Sequence, residues 1–233
     1  IGTSHGISAG NGSILSINDG NDLFMGDMNG AAAGQGTLDL NDDYTLTGNV
    51  GLTNRIAEAD VAGGTTLTTD GYTLHADTIT VNAAAELHVT NSSTATGAIA
   101  LGAGTTLRSA DNSFIYGDIT GDGGVQTINL INAETLGQAG DTVDLGGGDD
   151  VVTVDGFSLI DADLLDGGAG VDSFATTSEL QITSDIAGFE DFSLTNAANM
   201  TVNGNVTGGA FTLGAGSTLT IDATGNTVTS DVD

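Results

Sequence analysis

Residues 64–123 read as three consecutive blocks of twenty without a gap: GTTLTTDGYTLHADTITVNA (64–83), AAELHVTNSSTATGAIALGA (84–103) and GTTLRSADNSFIYGDITGDG (104–123). One column of the three holds Leu67, Leu87 and Leu107, another Ile79, Ile99 and Ile119, and Asp77, Gly97 and Gly117 fall together at a turn. Inside each block the local period is two, as in Thr66-Leu67-Thr68 and Thr78-Ile79-Thr80-Val81, which predicts strands of three to five residues. Short strands at a fixed spacing near 20 are the signature of a solenoid. One turn of chain is too small to bury its own apolar face, and stacking the turns merges those faces into one core. The expected fold is therefore all-β, a right-handed parallel β-solenoid with coils of about 20 residues. An antiparallel β-sandwich is the competing architecture, and it would show strand pairs without a gap-free register.

The unit recurs outside the blocks. GAIALGAGTTL (97–107) matches GAFTLGAGSTL (209–219), and TLDLNDDYTLTGNVGL (37–52) resembles TLTTDGYTLHADTITV (66–81) with one residue of slip. Composition agrees with stacked turns. The chain has 233 residues, 37 Gly and no Pro. Glycine permits tight corners, and a strand paired on both edges cannot spare the N–H that Pro lacks. Helix signals are confined to Asn54-Arg55-Ile56-Ala57-Glu58-Ala59 and, more weakly, to 159–164. One solenoid is expected over 1–233, with regular coils at 1–139, Gly/Asp-rich coils at 140–175 and further coils at 176–233.

Charge excludes several functions. Two Lys+Arg (Arg55 and Arg108) against 31 Asp+Glu give a net charge of -29. That leaves no basic surface for nucleic acid. No apolar run approaches the ~20 residues of a membrane helix, so neither nucleic acid nor membrane insertion is expected. Without Cys there are no disulfides, thiolate metal sites or cysteine nucleophiles. The chain opens Ile1-Gly2-Thr3-Ser4, with no basic n-region or apolar h-region, and reads as a mature chain or a piece of a longer one. All but five of the 31 acids are Asp, the acid that suits turns and binds hard cations.

Nine of those Asp lie within residues 141–172. There Gly167-Gly168-Ala169-Gly170-Val171-Asp172-Ser173-Phe174-Ala175 fits the nonapeptide G-G-x-G-x-D-x-U-x, where U is large and apolar. Gly146-x-Gly148-x-Asp150-x-Val152 repeats its core 22 residues earlier, and Gly20–Asp27 matches its second half with Asp22 in the Asp place. In such a unit the glycines turn the chain, the Asp offers a carboxylate and the apolar residue enters the core. A hard cation between stacked turns cross-links them.

These residues resemble the RTX family of secreted bacterial proteins, whose nonapeptides build a calcium-bound β-roll. The resemblance implies Ca2+ as the bound ion. Asp150 and Asp172 are the first candidate carboxylates and Asp22 the third. Gly146, Gly148, Gly168 and Gly170 are carbonyl donors, with Asp149 and Asp166 beside them. A second stretch, LLDGGAGVDSFATTSELQITSDIAGFEDFSLTNAANMTVNG (164–204), looks like repeats of bacterial S-layer proteins and giant secreted adhesins, with a G-F-E segment at Gly188-Phe189-Glu190.

Enzyme signals are weak. The 31 acids make chance pairs inevitable, and a lyase has only two arginines to draw on. His5, His75 and His88 lack metal spacing, and the latter two read as solvent-facing strand residues. Phe157, Phe174, Phe189 and Phe192 read as core. Tyr44 and Tyr72 read as equivalent ladder positions, with contact to a cell-surface glycan as their alternative use. The expectation is a non-enzymatic structural protein, secreted to a bacterial cell surface and self-assembling end to end or edge to edge. An adhesin or passenger stalk is the alternative, and a polysaccharide-active β-helix enzyme is the third reading. Both termini, Ile1–Ile7 and Val228–Asp233, read as strand.

Overall fold

A computed structural model describes residues 6–19, 26–132, 135–222 and 227–229. Every strand pairing among them is parallel and no helix occurs. The chain winds as a β-solenoid of about ten coils, and each full coil crosses three sheet faces. The face 1 inward column runs Leu15, Leu38, Ala59, Ile79, Ile99, Ile119, Val143, Leu165, Ile186, Val206. Face 2 runs Tyr44, Leu67, Leu87, Leu107, Ile128, Val152, Phe174, Phe192, Phe211. Face 3 runs Ile7, Met28, Val50, Leu74, Ala95, Ile115, Leu136, Ile160, Ile182, Val202, Ile221.

The two columns read from the twenty-residue blocks stack as expected, and their six residues are buried. Period-two alternation turns one side chain of each pair inward, where the coils above and below cover it. Each Leu or Ile so buried contributes ~2 kcal/mol. The period of 20 is sustained over successive coils only from Ala59 to Ile119 on face 1 and Leu67 to Leu107 on face 2. Elsewhere a coil takes 18 residues (Phe174 to Phe192) to 24 (Ile128 to Val152), because corners absorb length that strands cannot. Pairing is unbroken across residues 139/140 and 175/176.

Several local readings are corrected. Asn54–Ala59 forms no helical turn: Ile56–Val61 is a strand, with Ile56, Ala59 and Val61 inward. Residues 159–164 belong to two strands, Ser158–Ile160 and Leu164–Asp166, and the corner between them. Phe157 is 54% exposed, because it sits in the corner before Ser158 and Ile160, which take the inward positions. Phe174, Phe189 and Phe192 are core, and Phe192 stacks on Phe211 with centroids 4.3 Å apart. Tyr44 and Tyr72 are not equivalent. Tyr44 is inward beneath Leu67, whereas Tyr72 follows a turn. The 97–107 and 209–219 copies lie one face apart, with Ile99 on face 1 and Phe211 on face 2. Asp22, residues 1–5 and residues 230–233 lie outside the described residues.

Removing one rung of a column leaves a cavity that stacked backbones cannot close. Leu87→Ala should cost about 2–5 kcal/mol, whereas the outward-facing Thr106→Ala should cost about 1 kcal/mol or less. Leu87→Asp, which buries an unpaired carboxylate, should not fold at all. Urea unfolding followed by circular dichroism reads all three.

Candidate metal centre

The two nonapeptide turns, 146–150 and 167–172, occupy the same edge of the solenoid, the corner from face 1 to face 2. The residue that ends each turn directly precedes a face 2 strand. Because Thr106, Thr127, Val151, Ser173 and Asp191 are in register, their predecessors Thr105, Gln126, Asp150, Asp172 and Glu190 stack in one column. Successive rungs of such a stack lie ~4.8 Å apart.

The side chains of that column reach back one coil. The Gln126 N–H donates to Asp150 Oδ1 at 2.5 Å, the Asp150 N–H to Asp172 Oδ1 at 2.6 Å, and the Asp172 N–H to Glu190 Oε2 at 2.7 Å. Asp150 and Asp172 are both fully buried. Their second oxygens, with Gln126 Oε1 and Thr105 Oγ1, form four consecutive rungs of buried oxygen without a hydrogen-bond partner. A buried polar atom without a partner is costly, and a buried charge more so. Burial pushes the Asp150 carboxyl up to about 6, against the pull of the Gln126 N–H, and Asp172, Asp149 and Asp122 add to the rise. Burial also raises Asp172, whose bond from the Asp150 N–H acts the other way, with Glu190 among the charges that add to the rise.

The other candidates sit around this column. Asp166 Oδ1 accepts from the Gly168 N–H at 3.0 Å, and Asp149 Oδ1 from the Val171 N–H at 3.0 Å, so each is a turn acceptor with an oxygen to spare. The glycines have a role that needs no ion. Gly146, Gly148, Gly168 and Gly170 all hold positive φ. A Cβ at Gly168 would strike the Gly146 carbonyl, and one at Gly170 the Gly148 carbonyl. The Gly146 carbonyl also accepts the Ala169 N–H at 2.8 Å.

The donor set is oxygen throughout, which suits a hard cation such as Ca2+. Asp150 and Asp172 on adjacent rungs, with the Gln126 amide oxygen, are the residues that would hold it. Among the described residues no three His, Cys, Asp or Glu side chains come together as a metal cluster. Main-chain carbonyls would therefore have to complete the shell. Such an ion would neutralise two buried charges.

Gln126 and Glu190 were not legible as members of this column. Gln126 follows a Gly-Asp-Gly-Gly run without the motif's Asp, and Glu190 arrives after 18 residues where Asp172 took 22. Their common signal is position, the residue immediately before a face 2 strand.

Several other acids serve corners as well. Asp27, Asp43, Asp118, Asp163 and Asp185 each accept a main-chain N–H from a neighbouring coil at 2.7–2.9 Å. His75 and His88 face outward on strands and are partly buried. Burial, then the charge of Arg108, lowers the His88 pKa. No protein-family model, curated protein or solved structure matches the chain.

The Asp150 shift has a definite sign. Its folded value lies above the ordinary 3.8, so the native state keeps a proton that the unfolded chain releases. This residue's contribution to stability is full below the unfolded value of 3.8 and is lost as pH rises from there through about 6. In chelator, wild type should lose on the order of 1–3 kcal/mol through this group between pH 4 and pH 7. Asp150→Asn should flatten that part of the slope. Urea midpoints of the two proteins across that range provide the comparison.

Proposed function

We propose that the chain is a calcium-stiffened structural solenoid of the bacterial cell exterior that assembles by stacking on copies of itself. One observation carries this reading: at the outermost described rungs, apolar side chains are exposed whose counterparts one coil inward are buried. Leu213, in register with the buried Leu194, is 50% exposed, and Ile7, in register with the buried Met28, is 36% exposed. Such rungs are templates for another parallel strand. A contact between unlike ends is heterologous and need not close, so it extends into a filament.

The acidity supports a role for calcium. A charge of -29 repels itself, and Asp150 and Asp172 concentrate part of it in a dry column. An ion bound there would stabilise the fold by mass action. The resemblance to RTX proteins and to S-layer and adhesin repeats supports an extracellular bacterial setting. The same exposed rungs equally suit further coils of one longer polypeptide, which is the stalk reading.

In millimolar calcium the melting temperature should rise by about 5–10 °C over chelator at matched ionic strength. Asp172→Asn should remove most of that rise. Light scattering and negative-stain imaging of the micromolar chain across the same titration should show end-to-end filaments. Monodisperse monomers throughout would refute self-assembly and leave the stalk, whereas an unchanged melting temperature would remove calcium.

A further inference from the structure

The central outward columns of faces 1 and 2 differ in charge. That of face 1 carries Asp39, Asp60, Asp144 and Asp166, whereas on face 2 the acids Glu86 and Asp191 stand in the flanking column. The central outward column of face 2 has no acid over nine rungs: Thr45, Thr68, His88, Arg108, Asn129, Thr153, Ala175, Ser193, Thr212. In a chain with 31 acids, that column also holds one of the two cationic side chains. Arg55 forms an ion pair with Asp77 in a corner, and it is the only ion pair among the described residues.

Arg108 is thus a guanidinium without a carboxylate partner. Its Nε is buried and makes no hydrogen bond, and neither does Nε2 of His88 on the adjacent rung. Arg108 is partly exposed, no carboxylate acceptor among the described residues pairs with it, and a guanidinium is shaped to take a carboxylate. The acids nearest His88 (Glu86, Asp111 and Asp70) flank the column and do not supply that acceptor.

We infer that the outward column of face 2 centred on Arg108 and His88 is a lateral docking surface, and that its occupant is the acidic face 1 of a second copy of this chain. The inference rests on the self-assembly proposed above and adds a second direction to it. Charge complementarity selects the partner face, because Asp39 and Asp60 stand on neighbouring rungs of face 1 as Arg108 and His88 do on face 2. A face 1 to face 2 contact is heterologous and open, so rods would add side by side into a sheet.

The test uses the full chain in calcium, with negative-stain imaging reading length and width separately. Wild type should form assemblies several rods wide. Arg108→Glu should keep their length but lose their width, falling to single rods, while Arg55→Glu should keep both. Asp39→Arg/Asp60→Arg should also give single rods, and mixing that protein with Arg108→Glu should restore width, which a merely structural role for Arg108 would not do. Unchanged width in Arg108→Glu, or equal loss in Arg55→Glu, would overturn the inference. Single-file wild-type filaments would overturn it while leaving end-to-end assembly standing, whereas wild-type monomers would overturn both. Binding of polygalacturonate by wild type but not by Arg108→Glu, without lateral contact, would assign the column to an acidic glycan and overturn the second-copy assignment.

Discussion

The constraint on which this structure depends is the parallel hydrogen-bond ladder between successive coils. A coil has no core of its own, so each strand must lie in register with the strand one circuit before it and one circuit after. Register then decides everything else. It puts Leu67 under Leu87 under Leu107, and it puts Asp150 under Asp172 by the same rule. An apolar residue gains from this repetition, whereas a charged one is forced towards a like charge about one strand spacing away. The apolar columns and the strained acidic column are two products of one geometry.

This explains which features were readable. The Leu and Ile columns of faces 1 and 2 were legible because three coils of equal length happen to be adjacent. Face 3 was not, although it passes through the same sixty residues. A strict spacing of 20 aligns Leu74 with Thr94 and Phe114, but the ladder pairs Leu74 with Ala95 and Ile115. The extra residue is taken up by a bulge between Thr96 and Ala98, where Gly97 lies against the Ala76 carbonyl that a side chain would strike. One residue of slip swaps inward for outward, so a period search loses the face that contains the slip. The copy at 209–219 misled in a related way. Strand and corner form a unit that recurs on every face, and similarity between two units does not say that they share a column.

The acids divide along the same line. Read by composition alone, the Asp excess points to calcium. In the fold many Asp are already occupied, because corners leave main-chain N–H groups that a short carboxylate can reach across one coil, as Asp118 does for Thr142 and Asp185 for Asn205. The motif glycines divide similarly, since carbonyl-to-α-carbon stacking demands them at 146, 148, 168 and 170 whether or not an ion is bound. The nonapeptide pattern therefore reports a turn geometry first. Its claim on a cation narrows to the atoms that the turn leaves unsatisfied, the second carboxylate oxygens of Asp150 and Asp172.

Those atoms separate metal-free from metal-bound behaviour. In the metal-free chain the column is relieved by protonation, and burial moves Asp150 in that direction. A divalent cation bound there would relieve it without a proton and would link two coils at once. Because the column runs parallel to the apolar ladders, anything that tightens it also tightens the coils next to it. The site is thus part of the stack and not a pocket beside it. A change at Asp172 acts on the Asp150 rung through the main-chain N–H they share, and on the Glu190 rung through its own N–H. An ion held in that column would couple its occupancy to stiffness along the solenoid.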